Sequence, residues 1–577
     1  MRKNQSSMST ESKMSKAQRR GWTFVAGLSA VLTVAVVGCG TTGGAAPANG
    51  GGNTSNTSGS SSNATASTGN SNGTIIDGLF EEPGNLNPIL GPNMTFSEIV
   101  DAALYRNLFM VDPTNKLIPQ MASEVPTIAN GGISKDGLTY DIHLNPNAKW
   151  SNGDPFTSKD VEVTYKLLTS SDVNAVSRLG WDDVQSFEVV SPTEFKVHLK
   201  KPDPGFVNDA LANPMPGILP ASVFGSMNPK DVNTATFNHA PTVTNGPYKF
   251  VNWVPGASIT VTTNPYWIGP KPKTQTIQFK IIPDQNTLLT NVKAHAINVW
   301  YFDPITDVPQ LQAISGANVH LTPQPAFEMG LLNQRNPILQ DVRVRQALEL
   351  AINRQAIVQQ VYKGNAVLLG ADQSKMSWTS NPNIQPYPYD PAQAKKLLAQ
   401  AGWTMGSNGY LQKNGQTLAL TYSSTAGNSV REATERLIQY WFKQIGVKLT
   451  IKNAPANVFF GTMLPSGKGW DIAEYESLDS SNPTSATAQD FTPSGSSDYG
   501  NFNNPTVNSL MKQVQVTVDQ TKAQQMMGQV EQILHDQLPA LWYFAPDEVD
   551  TSVGITGYQP NPWSVDTWNV YDWQLSK

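Results

Sequence analysis

Cys39 is the only cysteine in 577 residues, so neither an internal disulfide nor a cysteine-ligated zinc site can form within one copy of the chain. What remains for that thiol is modification, pairing with another chain, or reactivity. The six histidines, His143, His198, His239, His295, His320 and His535, never fall in an HExxH or HxxxH spacing, and no metal centre is read from them. There is no GxSxG elbow, no Walker A and no GxGxxG after a strand. "GTMLPSGKGW" approaches a phosphate loop, but Gly469 stands where Ser or Thr is required. The acid pairs Glu81-Glu82 and Asp182-Asp183 are sequence neighbours, which does not set them across a scissile bond. The expectation is a chain with no catalytic residue, no metal and no cofactor.

The flanks of Cys39 give it a use. Arg2, Lys3, Lys13, Lys16, Arg19 and Arg20 are opposed only by Glu11, and an uncharged stretch follows from Gly21 to Gly38. That is the basic n-region and apolar h-region of an export signal. Val36, Val37 and Gly38 before the cysteine resemble a bacterial lipobox, which implies cleavage after residue 38 and a diacylglycerol on Cys39. From Gly40 to Thr74 every residue is Gly, Ser, Thr, Asn, Ala or Pro, a composition that cannot build a core and reads as a disordered tether. Its mean reach is roughly 30 to 35 Å.

These parts must be followed by elements able to fold. "LTYDIHL" alternates as a half-buried strand. "KWSNGDPFTSKDVEVTYKLL" then offers a turn, Thr157 as a helix cap and Asp160 in the third helical position of a capping box. "SFEVVSPTEFKVHL" reads as a hairpin, so the unit is a small α+β subdomain. A helix near Asp284 points Leu288, Leu289 and Val292 inward. "DVRVRQALELAINRQAIVQQVY" places Val344, Ala347, Leu348, Ala351 and Ile352 at helical spacing. "LALTYSS", a helix from Ser429 to Ile445, a stop at Gly446 and "VKLTIKN" make a β-α-β unit, which favours parallel pairing. The net charge of −5 and the lack of a basic stripe argue against nucleic acid as a partner.

In order, "KWSNGDPFTSKDV", "NGPYKF", "NPYWIGPKPKTQTIQFKII", "LQDVRVRQALELAINRQAIV" and "YDPAQAKKLLAQAGW" resemble the oligopeptide/dipeptide-type extracellular solute-binding proteins of ABC importers. The resemblance covers the chain from about residue 74 onward. It implies an α/β, two-lobed periplasmic-binding-protein-like fold with hinged, discontinuous lobes and an extra α+β subdomain. On that pattern residues 1–38 are the signal, 39–73 the lipidated cysteine and tether, 74–325 lobe one with its subdomain at about 117–239, 326–545 lobe two, and 546–577 the return to lobe one. Two departures stand out: His295, Ala296, Ile297 and Asn298 replace the family's usual Gly-Glu-Ile-Asp, and Asn353 stands where Asp is usual.

The same resemblance aligns "ESLDSSNP" with the family's ligand loop. Asp479 falls on the carboxylate that receives a peptide's α-amino group, and Glu476 replaces an aromatic residue. By chemistry alone the run is a turn. With the register it yields Asp479, Glu476, Tyr475, Asn482 and Tyr499 as ligand-binding candidates. A peptide ammonium in a closed cleft needs such an anion. The implied protein is a monomeric, lipid-anchored receptor on the outer face of the cytoplasmic membrane, delivering short peptides to a permease and its ATPase. Oligosaccharide or nickel-chelate binding on the same scaffold, an extracellular enzyme and an adhesin are the alternatives.

Overall fold

The computed structural model describes residues 73–576 apart from 92–93, 213–216, 479–481 and 494. The export signal, Cys39 and the tether lie outside these residues. In chain order the elements used below are β1 (Thr74–Leu79), β2 (Thr139–His143), α1 (Ser158–Leu168), β3 (Val184–Ser191), β4 (Glu194–Leu199), β5 (Tyr248–Val254), β6 (Ser258–Thr263), β7 (Thr276–Ile281), β8 (Val299–Trp300), β9 (Ala317–Pro323), β10 (Ala326–Leu332), β11 (Ala419–Ser423), α2 (Ser429–Gln444), β12 (Lys448–Ile451), β13 (Ile472–Leu478), α3 (Thr484–Phe491) and β14 (Ala540–Val553).

A two-lobed α/β architecture grows from one long strand. The first half of β14 pairs antiparallel with β10, Leu541 opposite Gly330 and Trp542 opposite Met329. Its second half pairs with β9 from Asp547 to Val553, and with β8 at Thr551 and Ser552. The whole sheet therefore runs β12-β11-β13-β10-β14-β8-β1-β7-β6-β5. β14 crosses from one half to the other, and so does the chain between β9 and β10, through Gln324 and Pro325. Trp542, Tyr543 and Phe544 are fully buried, and burying a side chain of Phe544's class contributes about 1.5–3 kcal/mol.

The β-α-β unit forms as its sequence predicts. β11 and β12 pair in parallel, Asn428 caps α2 by accepting from the Arg431 N–H at 3.0 Å, and Gly446 ends the turn after it at φ +82°. The small subdomain is the sheet β2-β4-β3 with α1 against it. Asp160 does double duty at the start of α1. Its Oδ2 accepts from the Thr157 N–H at 2.7 Å, and its Oδ1 accepts from the Ala221 N–H at 2.7 Å, which fastens the helix to a neighbouring segment. Trp150 is buried against Phe156, with ring centroids 5.4 Å apart. The signature residues are thus scaffold.

The "DVRVRQALELAINRQAIV" segment divides into two helices, Val342–Leu350 and Arg354–Gln360, because Asn353 caps the second one and accepts from the Ala356 N–H. The buried ion pair of Arg354 with Glu349 closes the joint. His295 holds a left-handed φ of +55°, the conformation that suits the glycine usual at this place in the family. Asn298 ties β1 to β14, accepting from the Ile76 N–H at 2.9 Å and donating to the Val553 carbonyl at 3.0 Å. No helix among the described residues is long and apolar enough to cross a membrane.

Candidate functional site

Strand alternation sends neighbouring residues of β13 to opposite faces. On one face lie Glu474 and Glu476. Glu476 stands directly opposite Glu328 of β10, an unfavourable like-charge pair unless something neutralises it. Arg431 of α2 does so, donating to Glu328 through Nε at 2.7 Å and through a second guanidinium nitrogen at 3.0 Å. Burial alone would depress the Arg431 pKa, but Glu328, with Glu474 and Glu476 behind it, raises it overall. The Tyr422 hydroxyl donates to Glu474 at 3.0 Å and also meets the Tyr543 hydroxyl at 3.0 Å. Gly330 makes that approach feasible, since a Cβ there would lie 2.3 Å from the Tyr543 hydroxyl oxygen. Three acids share one guanidinium on this face, and burial raises Glu474 well above the usual carboxyl range. Burial, then Glu328, pushes Glu476 up to about 7, against the pull of Arg431.

The end of β13 opens into a pocket of about 110 Å³ that Tyr475, Glu476, Ser477, Asp490, Tyr499 and Phe460 line among others. Tyr475 is buried edge-on to Phe460 at 5.9 Å, and its hydroxyl has no hydrogen-bond partner. The Ser477 hydroxyl donates to Asp490 of α3 at 2.8 Å. Burial lifts Asp490 to about 7, although Ser477 opposes the shift. Aromatic walls, a hydroxyl with an open valence and two carboxyls near neutrality can hold a small polar group bearing positive charge.

Of the five sequence-derived candidates, Tyr475, Glu476 and Tyr499 come together in this pocket. Asp479 lies outside the described residues. Asn482 is not a pocket wall. Its side chain donates to Asp209 at 3.1 Å, on a π-helical turn at Val207–Ala212. Gly205 leaves room for the contact, since a Cβ there would come within 2.2 Å of the Asn482 nitrogen. Asp209 and Asn482 are far apart in sequence, on either side of the β9–β10 crossing. Burial lifts Asp209 to about 7.

Sequence reasoning missed Asp490, Ser477 and Phe460. Asp490 carried only the weak signal of an acid near the end of a predicted turn-rich stretch, and Phe460 carried none. Missed also was the pairing of Glu328 with Arg431, which needs the strand register.

The family model of bacterial extracellular solute-binding proteins, family 5 middle, matches residues 116–506. The oligopeptide-binding protein AppA of Bacillus subtilis (strain 168) is 25% identical over 523 residues, covering 88% of this chain and 92% of that one. Its structure in complex with a nonapeptide superposes with a TM-score of 0.69 over 87% of this chain and 99% of that one. Campylobacter jejuni NikZ, in complex with Ni(L-His), is 23% identical and has a TM-score of 0.71 over 87% of this chain and 99% of that one, a likeness of fold.

Proposed function

The chain belongs to the bacterial extracellular solute-binding proteins of family 5, the substrate-binding components of ABC importers, and from that premise we propose that it captures short peptides between its lobes and passes them to a membrane permease driven by a cytoplasmic ATPase. The observation that carries the peptide reading is the acid-lined pocket at the end of β13. Glu476 and Asp490 stand there among Tyr475, Tyr499 and Phe460, with no lysine, arginine or histidine in the lining. Asp479 follows β13 directly in sequence and is assigned the α-amino group. The peptide backbone is held in extended form, and its side chains are weakly specified.

The lobes are assigned as 74–325 with 546–577, and 326–545. That division agrees with the two places where chain crosses the sheet, the β9–β10 link and the middle of β14. Cys39 is assigned the lipid, and the protein acts as a monomer on the outer face of the cytoplasmic membrane. Thermal melting against peptides, N-acetylated peptides, sugars and nickel tests the ligand class, because a ligand of the native state raises the midpoint by mass action. Free peptides are expected to raise it and N-acetylated ones not. Equal stabilisation by both would remove the amine role of Asp479. A response to sugar or nickel alone would replace the peptide reading. A Cys39→Ser form should leave the membrane fraction and bind ligand unchanged; if it stays membrane-bound, the lipid assignment is wrong.

A further inference from the structure

A second group of acids sits on the first-lobe half of β14. Asp77, Asp303, Asp550 and Asp566 are buried and Glu548 is half-buried, and none of the five enters an ion pair among the described residues. Hydroxyls serve two of them: Tyr301 donates to Asp77 at 2.6 Å and Thr551 donates to Asp303. The other three converge. Glu548 and Asp550, two apart on β14, share a face, and Asp566 arrives from the turn Asp566–Asp572 near the C-terminus. One carboxylate oxygen from each lies within 4.8 Å of the other two.

Two further facts point to a missing electrophile. Asp550 is fully buried, and while its Oδ1 accepts from the Phe302 N–H at 3.2 Å, its Oδ2 has no partner. The buried Tyr558 hydroxyl and Asp550 both stand within reach of Asp566. His320, whose ring packs on Tyr558 at 4.9 Å, supplies no charge, since burial lowers its pKa.

Oxygens that share one Ca²⁺ at 2.3–2.6 Å stand at most about 5 Å apart, and the three carboxylate oxygens lie near that range of one another. We propose that Glu548, Asp550 and Asp566 bind one divalent cation of the hard, oxygen-seeking class, Ca²⁺ first among them, with the Tyr558 hydroxyl at its edge. The half-buried Glu548 provides the route of entry. The ion ties the strand common to both lobes to the C-terminal segment.

The test uses the full mature chain stripped with chelator and titrated with Tb³⁺ under excitation of the aromatic rings. Tyr558 and Trp573, with centroids 5.4 Å apart, are the sensitisers. The expected result is saturable emission displaced by Ca²⁺ at one equivalent, with Ca²⁺ raising the melting midpoint by several degrees. Asp566→Asn should lose both effects. Should that variant not fold, Glu548→Gln, at the half-buried member, is expected to weaken Ca²⁺ at least tenfold. Three outcomes overturn the site: no displaceable emission with a midpoint that follows only pH, which means a proton shared by Asp550 and Asp566; displacement by a peptide amine but not by Ca²⁺; or unchanged Tb³⁺ binding in both variants. None of these readouts depends on which solute the cleft carries.

Discussion

β14 is flanked by two sets of buried acids, and they are neutralised in opposite ways. In the second-lobe half Glu328, Glu474 and Glu476 surround Arg431, a cation supplied by the chain itself and fixed by two hydrogen bonds. In the first-lobe half Glu548, Asp550 and Asp566 have no such residue, and the hydrogen bonds they accept come from the backbone N–H groups of Phe302 and Asn561. A guanidinium on a helix is permanent and makes the network part of the fold. A set of acids without one is left open to something that comes and goes, and the hinge is where coming and going can be felt.

The largest effect expected from breaking this contrast is Arg431→Met, which makes the second-lobe set a copy of the first. Removing one partner of a buried ion pair costs about 3–5 kcal/mol, to be read as lost stability in urea unfolding. Arg431→Met with Glu328→Gln should recover part of that loss, and no recovery would show that Arg431 acts through packing alone. Asp550→Asn sharpens the contrast from the other side. It should abolish the rise of the melting midpoint with Ca²⁺, and a rise that persists in the variant would remove Asp550 from the site.

The contact that spans the two halves is a smaller lever. Asn482→Ala deletes the hydrogen bond to Asp209 and should weaken ligand binding by about 1–2 kcal/mol, near tenfold, in calorimetric titration. Unchanged affinity would exclude that contact from the closed state.

The pocket acids add a pH dependence. Asp490 titrates near 7 in the fold because burial raises it, against about 4 when unfolded. Between those values the folded form holds more protons, so this group's contribution to stability falls as pH rises from about 4 to 7. Asp490→Asn should flatten the wild-type slope of the ligand-free midpoint across that window, and an unaltered slope would refute the shift. The smallest effect is expected at the edge of the first-lobe half. His295→Gly relieves a left-handed backbone and should stabilise by about 1 kcal/mol, unless the added freedom of the unfolded glycine cancels it.

Local chemistry was legible in the sequence wherever neighbours in the chain are neighbours in space. Thr157 and Asp160, the hairpin of β3 and β4, and the β11-α2-β12 unit all follow from turn formers and periodicity read over a few residues. Of the candidate site, Glu476, placed by the family register, shares a pocket with Tyr475 and Tyr499, which are read as aromatics in or near the same segment. Asn482 was read with them, yet its hydrogen bond to Asp209 depends on the meeting of segments 273 positions apart. Nothing in the sequence singles out the acids of "PDEVDTSV". Only the switch of partners along β14, from β10 to β9 and β8, reveals that this face is covered by Asp566 and Tyr558. Expecting no metal from histidine spacing was silent about carboxylates that meet over such distances.

The position of β14 in the chain has a consequence for how the molecule is made. Its neighbours β8, β9 and β10 precede it by more than two hundred residues, and the two halves of the sheet cannot be joined until residues 540–553 have been synthesised. Contacts so distant in sequence form slowly. A nascent chain therefore stays unjoined through nearly all of its translation, and the sheet closes only after its last long strand has been made.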